Sequence, residues 1–157
     1  MPLEAQWVPG FTAQAQVVGP GQLINVNGVP WSDIVGLREG FGTTFRGGSG
    51  RFNWFHFAIP TPVITRDIRV RVERFFVLYT IDTWALIRSV HLWDGPRRIK
   101  AHDGLALTGN HQWWLDAQNS FAADNNLVYL GVGISVGIEF GQEANVRFTS
   151  AGVDFRS

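Results

Sequence analysis

The chain has 157 residues, 45% hydrophobic and 17% charged, a balance that excludes intrinsic disorder and predicts one globular domain over residues 1–157. Thirteen basic and 13 acidic residues give a formal net charge of zero. No nucleic-acid partner is therefore expected, and so little charge opposes self-association that a homo-oligomer is.

The first residues, Met1-Pro2-Leu3-Glu4-Ala5-Gln6, lack the basic and apolar regions of a signal peptide, so a cytoplasmic location is expected, with secretion by another route left open. Phe11–Val18 alternates in the manner of a strand. Turn signals follow at Gly19-Pro20-Gly21 and Asn27-Gly28. Gly47-Gly48-Ser49-Gly50 reads as a mobile loop and lacks the lysine of a phosphate-cradling one. Asn53–Ile59 alternates Phe55, Phe57 and Ile59 against Trp54, His56 and Ala58. Ile68–Leu78 alternates as well, until Phe75 and Phe76 fall side by side; a bend or bulge there would let one strand serve two sheets. Asp116–Ala123 is the one helix candidate. Val128–Phe140 sets Val128, Leu130, Val132, Ile134, Val136, Ile138 and Phe140 on one face and a small-residue row, Gly131, Gly133, Ser135 and Gly137, on the other. The longest apolar stretch, Leu127–Phe140, is too short to span a bilayer as a helix. Many period-two segments punctuated by Gly, Pro and Asn predict an all-β fold: an antiparallel β-sandwich, jelly-roll-like rather than an up-and-down barrel.

The segment richest in chemistry is a hairpin turning at Asp94-Gly95-Pro96-Arg97. An even-length turn pairs Asp94 with Arg97, Trp93 with Arg98, Leu92 with Ile99 and His91 with Lys100. Leu86, Val90, Leu92, Ile99 and Ala101 then share the core face, and Ser89, His91, Trp93, Arg98, Lys100 and His102 share the outer one. A cation–π stack of Arg98 on Trp93 is available there. His91 and His102 lie diagonal on that face, with Asp94, Asp103 and His111 as possible companions. The tight His-x-His pair with a downstream Glu is missing, so neither a metal nor a cofactor is expected. His56, between two phenylalanines, reads as a hydrogen-bonded, half-buried histidine. Interior glycines mark a close approach, so the Gly131–Gly137 row is either covered by Trp113 or Trp114, set against another copy, or the floor of a shallow groove. Adjacent in a strand, Trp113 and Trp114 would point to opposite faces. Arg69 and Arg71 share a face with Glu73, which predicts cross-strand ion pairs. Lys100 is the sole lysine among the basic residues, a bias that fits either a GC-rich genome or bidentate anion recognition.

Asn53-Trp54-Phe55-His56-Phe57-Ala58-Ile59-Pro60-Thr61-Pro62-Val63-Ile64, Val90-His91-Leu92-Trp93-Asp94-Gly95, His102-Asp103-Gly104-Leu105, Leu130-Gly131-Val132-Gly133-Ile134-Ser135-Val136 and Ser150-Ala151-Gly152-Val153-Asp154-Phe155 carry a resemblance to a family of small bacterial all-β proteins of unknown function. It spans the chain from about residue 53 onward and implies no residue roles. The leading expectation is a non-catalytic, lectin-like protein binding a carbohydrate or another small polar ligand through His91, Trp93, Asp94, Arg98 and His102. The alternatives are a cofactor-free isomerase, cyclase or hydrolase with a His/Asp acid–base site, and a structural or assembly subunit.

Overall fold

The computed structural model describes residues 2–19, 21–26 and 36–157. Pro20 and Asn27-Gly28 lie outside the described residues. The main strands are β1 (Leu3–Pro9), β2 (Gly42–Gly47), β3 (Arg51–Ile59), β4 (Arg71–Ile81), β5 (Ala85–Asp94), β6 (Arg97–His102), β7 (Ser120–Leu127), β8 (Val132–Phe140) and β9 (Ala144–Arg156).

These strands form two antiparallel sheets. The larger runs β2-β9-β4-β7, with β1 beside β2 along β9. The smaller runs β3-β8-β5-β6, with Gln14–Ala15 on its β3 edge. From β2 onward every main connection except the β5–β6 hairpin crosses between the sheets, which is the jelly-roll order.

Alternation builds the core. Phe55, Phe57 and Ile59 of β3, and Ile134, Val136 and Ile138 of β8, are all buried. Phe148 of β9 meets both Phe55 (5.4 Å) and Phe57 (5.3 Å) across the interior. Burial of each such ring contributes about 1.5–3 kcal/mol.

Several expectations change. Phe11–Val18 is no continuous strand: Gly10–Thr12 forms a 3₁₀ turn and only Gln14–Ala15 pairs. Asp116–Ala123 is a turn running into β7, so the helix is absent; Phe121 and Ala123 are buried at strand spacing. The Phe75–Phe76 pair marks no crossing between sheets. Phe75 points into the core, while Phe76 is buried on the other face beneath Trp7 of β1 (5.3 Å, 18° between planes). Both faces are apolar because a neighbouring strand brings an indole over the second. Trp7 lies so close over Gly152 that a Cβ there would fall 2.4 Å from the ring. The irregularity in β4 is instead at Glu73, which both neighbouring strands skip. Glu73 makes a cross-strand ion pair, with Arg156 of β9 (2.6 Å).

The glycine run at 47–50 is a bonded corner between the sheets, with Gly48 N–H donating to Gln22 O and Gly50 N–H to Phe140 O. Leu130, expected inside, is 68% exposed because β8 begins only at Val132. Among the described residues no helix is long and apolar enough to cross a membrane.

Candidate functional site

The outer face of the smaller sheet gathers the chemistry. β8 lies between β5 and β3, so its register assembles cross-strand rows: Trp93–Gly133–Ala58, His91–Ser135–His56 and Ser89–Gly137–Trp54. Two indoles thus stand diagonally, four residues apart along β8 and two strands apart. That is roughly 16 Å between Cα atoms at ordinary strand spacings.

The β5–β6 hairpin pairs Asp94 with Arg97 and Trp93 with Arg98 as the sequence predicts. Leu92 is fully buried while Trp93 looks out. Beyond that point the pairing shifts: Leu92 faces Lys100, His91 faces Ala101 and Val90 faces His102. Ile99 is the extra residue of a bulge, and one inserted residue turns all that follow to the opposite face. Lys100 and His102 therefore leave the outer face. Lys100 reaches Asp124 on β7 (2.5 Å). His102 lies between Phe75 (5.8 Å) and Phe121 (5.5 Å), its Nε2–H donating to Ala122 O (2.8 Å). A second bulge, in the β5–β8 pairing between Ile87 and Ser89, puts Ile87 rather than Leu86 in the core. His91 and His102 so lie on opposite sides of the sheet and do not converge.

Asp94 is buried and committed. Its carboxylate accepts the amides of Tyr129 (2.9 Å), Leu130 (2.8 Å) and Gly131 (3.0 Å), and Arg97 adds a contact at 3.3 Å. Burial alone would raise its pKa, but those amides and Arg97 together hold it below the usual carboxylate range. Asp94 bolts the hairpin to the segment that leads into β8; it presents no free oxygen to the outer face.

What remains on that face is coherent. His56 bonds Ser135 Oγ through Nδ1 (2.7 Å) and Gln16 Oε1 through Nε2 (2.9 Å), the hydrogen-bonded histidine its sequence setting predicts. Burial lowers its pKa from the ordinary 6.5, which favours the neutral ring at pH 7. The Gln oxygen then takes the Nε2 proton, and the serine hydroxyl donates to Nδ1. His91 is buried beside Trp54 (ring centroids 4.9 Å), with Nε2 on Asp103 (2.7 Å). Asp103 also accepts Ser89 Oγ (2.6 Å); the serine and then His91 hold its pKa down. Asp103-Gly104 is thus a turn whose carboxylate also fixes His91.

The small-residue row is used unevenly. At Gly137 a Cβ would lie 2.7 Å from Phe52 and 3.0 Å from Trp54, so this glycine lets the two rings settle on the sheet. Gly131 and Gly133 have no such cover and stay open. The rings over the row are Phe52 and Trp54; Trp113 and Trp114 are elsewhere, in the connection before β7. Both of those are exposed, because that connection is a loop with no strand to send them to opposite faces.

Two depressions occupy the face. One of about 300 Å³ is walled by Gln16, Trp54, His56, His91, Trp93, Arg98 and Ser135. The other, of about 570 Å³, shares His56 and Trp93 and has Gly131 and Gly133 in its floor. Of the residues expected to bind ligand, the structure brings His91, Trp93 and Arg98 together and draws Asp94 and His102 away. Arg98 does not stack on Trp93; among the described residues the cation–π contacts are Arg69 and Arg97 on Tyr129 and Arg147 on Phe41. Sequence reasoning missed Trp54 and Gln16 as candidate site residues and placed Ser135 only in the small-residue row, as a possible groove floor. The alternation of β3 already placed Trp54 and His56 outward; the missing information was which strands flank β8.

The profile of a protein family of unknown function, DUF6623, matches residues 1–156. The chain belongs to DUF6623. Its N-terminal third is therefore part of the family unit, where the sequence resemblance began only near residue 53. No curated protein matches this DUF6623 chain. Among solved structures, a low-affinity xylan-binding module, CBM86, from the xylanolytic gut symbiont Roseburia intestinalis is similar at a TM-score of 0.42 and 12% identity, covering 98% of this chain and 96% of that one.

Proposed function

We propose that this protein is a non-catalytic glycan-binding module that takes a saccharide chain across the outer face of the smaller sheet. The observation that carries the reading is the diagonal pair of indoles, Trp54 and Trp93, with hydrogen-bonding side chains between them. A pyranose presents an apolar C–H face and a rim of hydroxyls. Indole planes suit the first, and Ser135, Gln16 and Arg98 suit the second, with His56 orienting the serine and the glutamine. The depressions are shallow and open along the sheet, which favours a chain that runs across them over a small molecule enclosed on all sides. His91 and Asp103 act as support, holding Trp54 from beneath.

Calorimetric titration with a panel of polysaccharides tests the proposal. Binding of at least one chain is expected, weakened roughly 30-fold by Trp54→Ala or Trp93→Ala, the size expected for loss of about 2 kcal/mol at a central aromatic anchor. A panel in which nothing binds the folded protein sinks it.

The enzyme alternative keeps His91 with Asp103 (2.7 Å), while His102 and Asp94 lie away from that pair. The assembly alternative keeps one observation, the exposed Trp113-Trp114-Leu115 segment. Sedimentation at increasing concentration tests it: self-association that Trp113→Ala abolishes would support it, and a monomer throughout would end it.

A further inference from the structure

Beside the indole face lies a third depression, of about 510 Å³, where the edge strands β6 and β7 of the two sheets meet. Its walls include Arg71, Arg97, Arg98, Asp124, Asn126 and Tyr129. Arg98 also walls the depression that holds Trp54 and Trp93, so the two lie on either side of one side chain.

The charge of this cleft is one-sided. Asp124 is already paired with Lys100, which the Ile99 bulge turned toward it. Arg71 gives Nη1 to Asn125 O (3.1 Å), and Arg97 gives Nη2 to Asp94 (3.3 Å). Each guanidinium has five N–H donors, so most remain free. Arg98 is exposed and makes no hydrogen bond or ion pair among the described residues; only its charge reaches Asp103.

The walls are also held in place. Tyr129 is clasped by Arg69 (4.5 Å) and Arg97 (5.5 Å) on its ring. Asp124 and Asn125 both take left-handed backbone (φ 56°), in a bulge where β7 loses register with β4 between Ala122 and Asn126. Bulges of this kind re-aim side chains at functional edges. Planar forks on a formed wall match the oxygens of a carboxylate or a sulfate ester.

We infer that the arginine cleft binds an anionic substituent of the same saccharide chain that crosses Trp54 and Trp93, so that the ligand is an acidic polysaccharide. This rests on the glycan-binding reading and names its substrate class. Uronate and sulfate ester share the chemistry the cleft recognises.

The test titrates the full chain with neutral cellohexaose and xylohexaose, with polygalacturonate and hyaluronan oligosaccharides for uronates, and with dextran sulfate for sulfate esters. At least one acidic class is expected to bind roughly tenfold or more tighter than the neutral chains, with the excess shrinking between about 50 and 200 mM salt. The class that gains identifies the anion. Arg71→Gln should erase the excess and leave neutral binding as it was, and Arg71→Lys should restore part of it. Melting curves confirm that both variants fold. Neutral binding with no acidic preference, or a preference that survives Arg71→Gln, overturns the inference while the glycan reading stands. Acidic binding that ignores Trp54→Ala also overturns it, because the cleft would then be a general polyanion site. If no saccharide of either kind binds, both fall.

Discussion

The chain carries two pairs of tryptophans in opposite mechanical settings. Trp54 and Trp93 stand on the flat of a sheet, Trp54 settled on Gly137 and against His91. Trp113 and Trp114 project from the connection before β7, 71% and 83% exposed. Yet that connection is tightly tied. Asn119, fully buried, donates to His111 O (3.1 Å) and Trp114 O (2.7 Å) and accepts the Asp116 amide (2.8 Å). Trp54 is held at the side chain, the loop pair at the backbone only. Ordering a free side chain on binding costs about 0.5–1.5 kcal/mol, a cost Trp54 has largely met on folding. Pre-organisation, rather than exposure, separates Trp54 from the loop pair.

The largest effect should come from untying the loop pair. Asn119→Ala strands buried backbone groups and is expected to cost about 3 kcal/mol by denaturant unfolding, while glycan affinity stays within about twofold. An equal loss of affinity would mean that the loop, and not the sheet face, carries binding. Next comes the seat of Trp54. Gly137→Val drives a side chain into Phe52 and Trp54, and calorimetry should show affinity falling roughly tenfold with about 1–2 kcal/mol of stability. Gly133→Ala, whose nearest neighbour beyond the adjacent residues is 3.6 Å away, should leave stability nearly unchanged.

A smaller effect separates the settings by pH. Burial lowers the His56 pKa from its ordinary 6.5, so the unfolded chain binds more protons just below that value. Stability is complete above about pH 6.5 and declines as pH falls toward the folded-state value, a limb that His56→Gln should flatten in pH-dependent melts. Asp94, with its pKa lowered below 3.8, contributes stability that is lost only as pH falls through its folded value, in a separate and more acid step. The smallest effect should be at Trp113→Ala and Trp114→Ala, each within about 0.5 kcal/mol of wild-type stability and about twofold in affinity. A tenfold affinity loss at either would erase the distinction between the pairs.

Period two was legible in the sequence and decided much. It sent Phe55, Phe57 and Leu92 inward and Trp54, His56 and Trp93 outward, and it indicated a sandwich of jelly-roll type before any coordinates. It decided these things because alternation is a property of a few consecutive residues that meet water on one side and a core on the other. Tertiary structure decided the rest. Placing β8 between β3 and β5 brought Trp54, Ser135 and His91 to one place, and no local pattern states which strands will be neighbours. A single bulge at Ile99 sent Lys100 and His102 across the sheet, and three distant amides claimed Asp94. Register beyond a bulge, and the partner of a buried carboxylate, depend on contacts between segments far apart in the chain, which alternation within one segment does not encode.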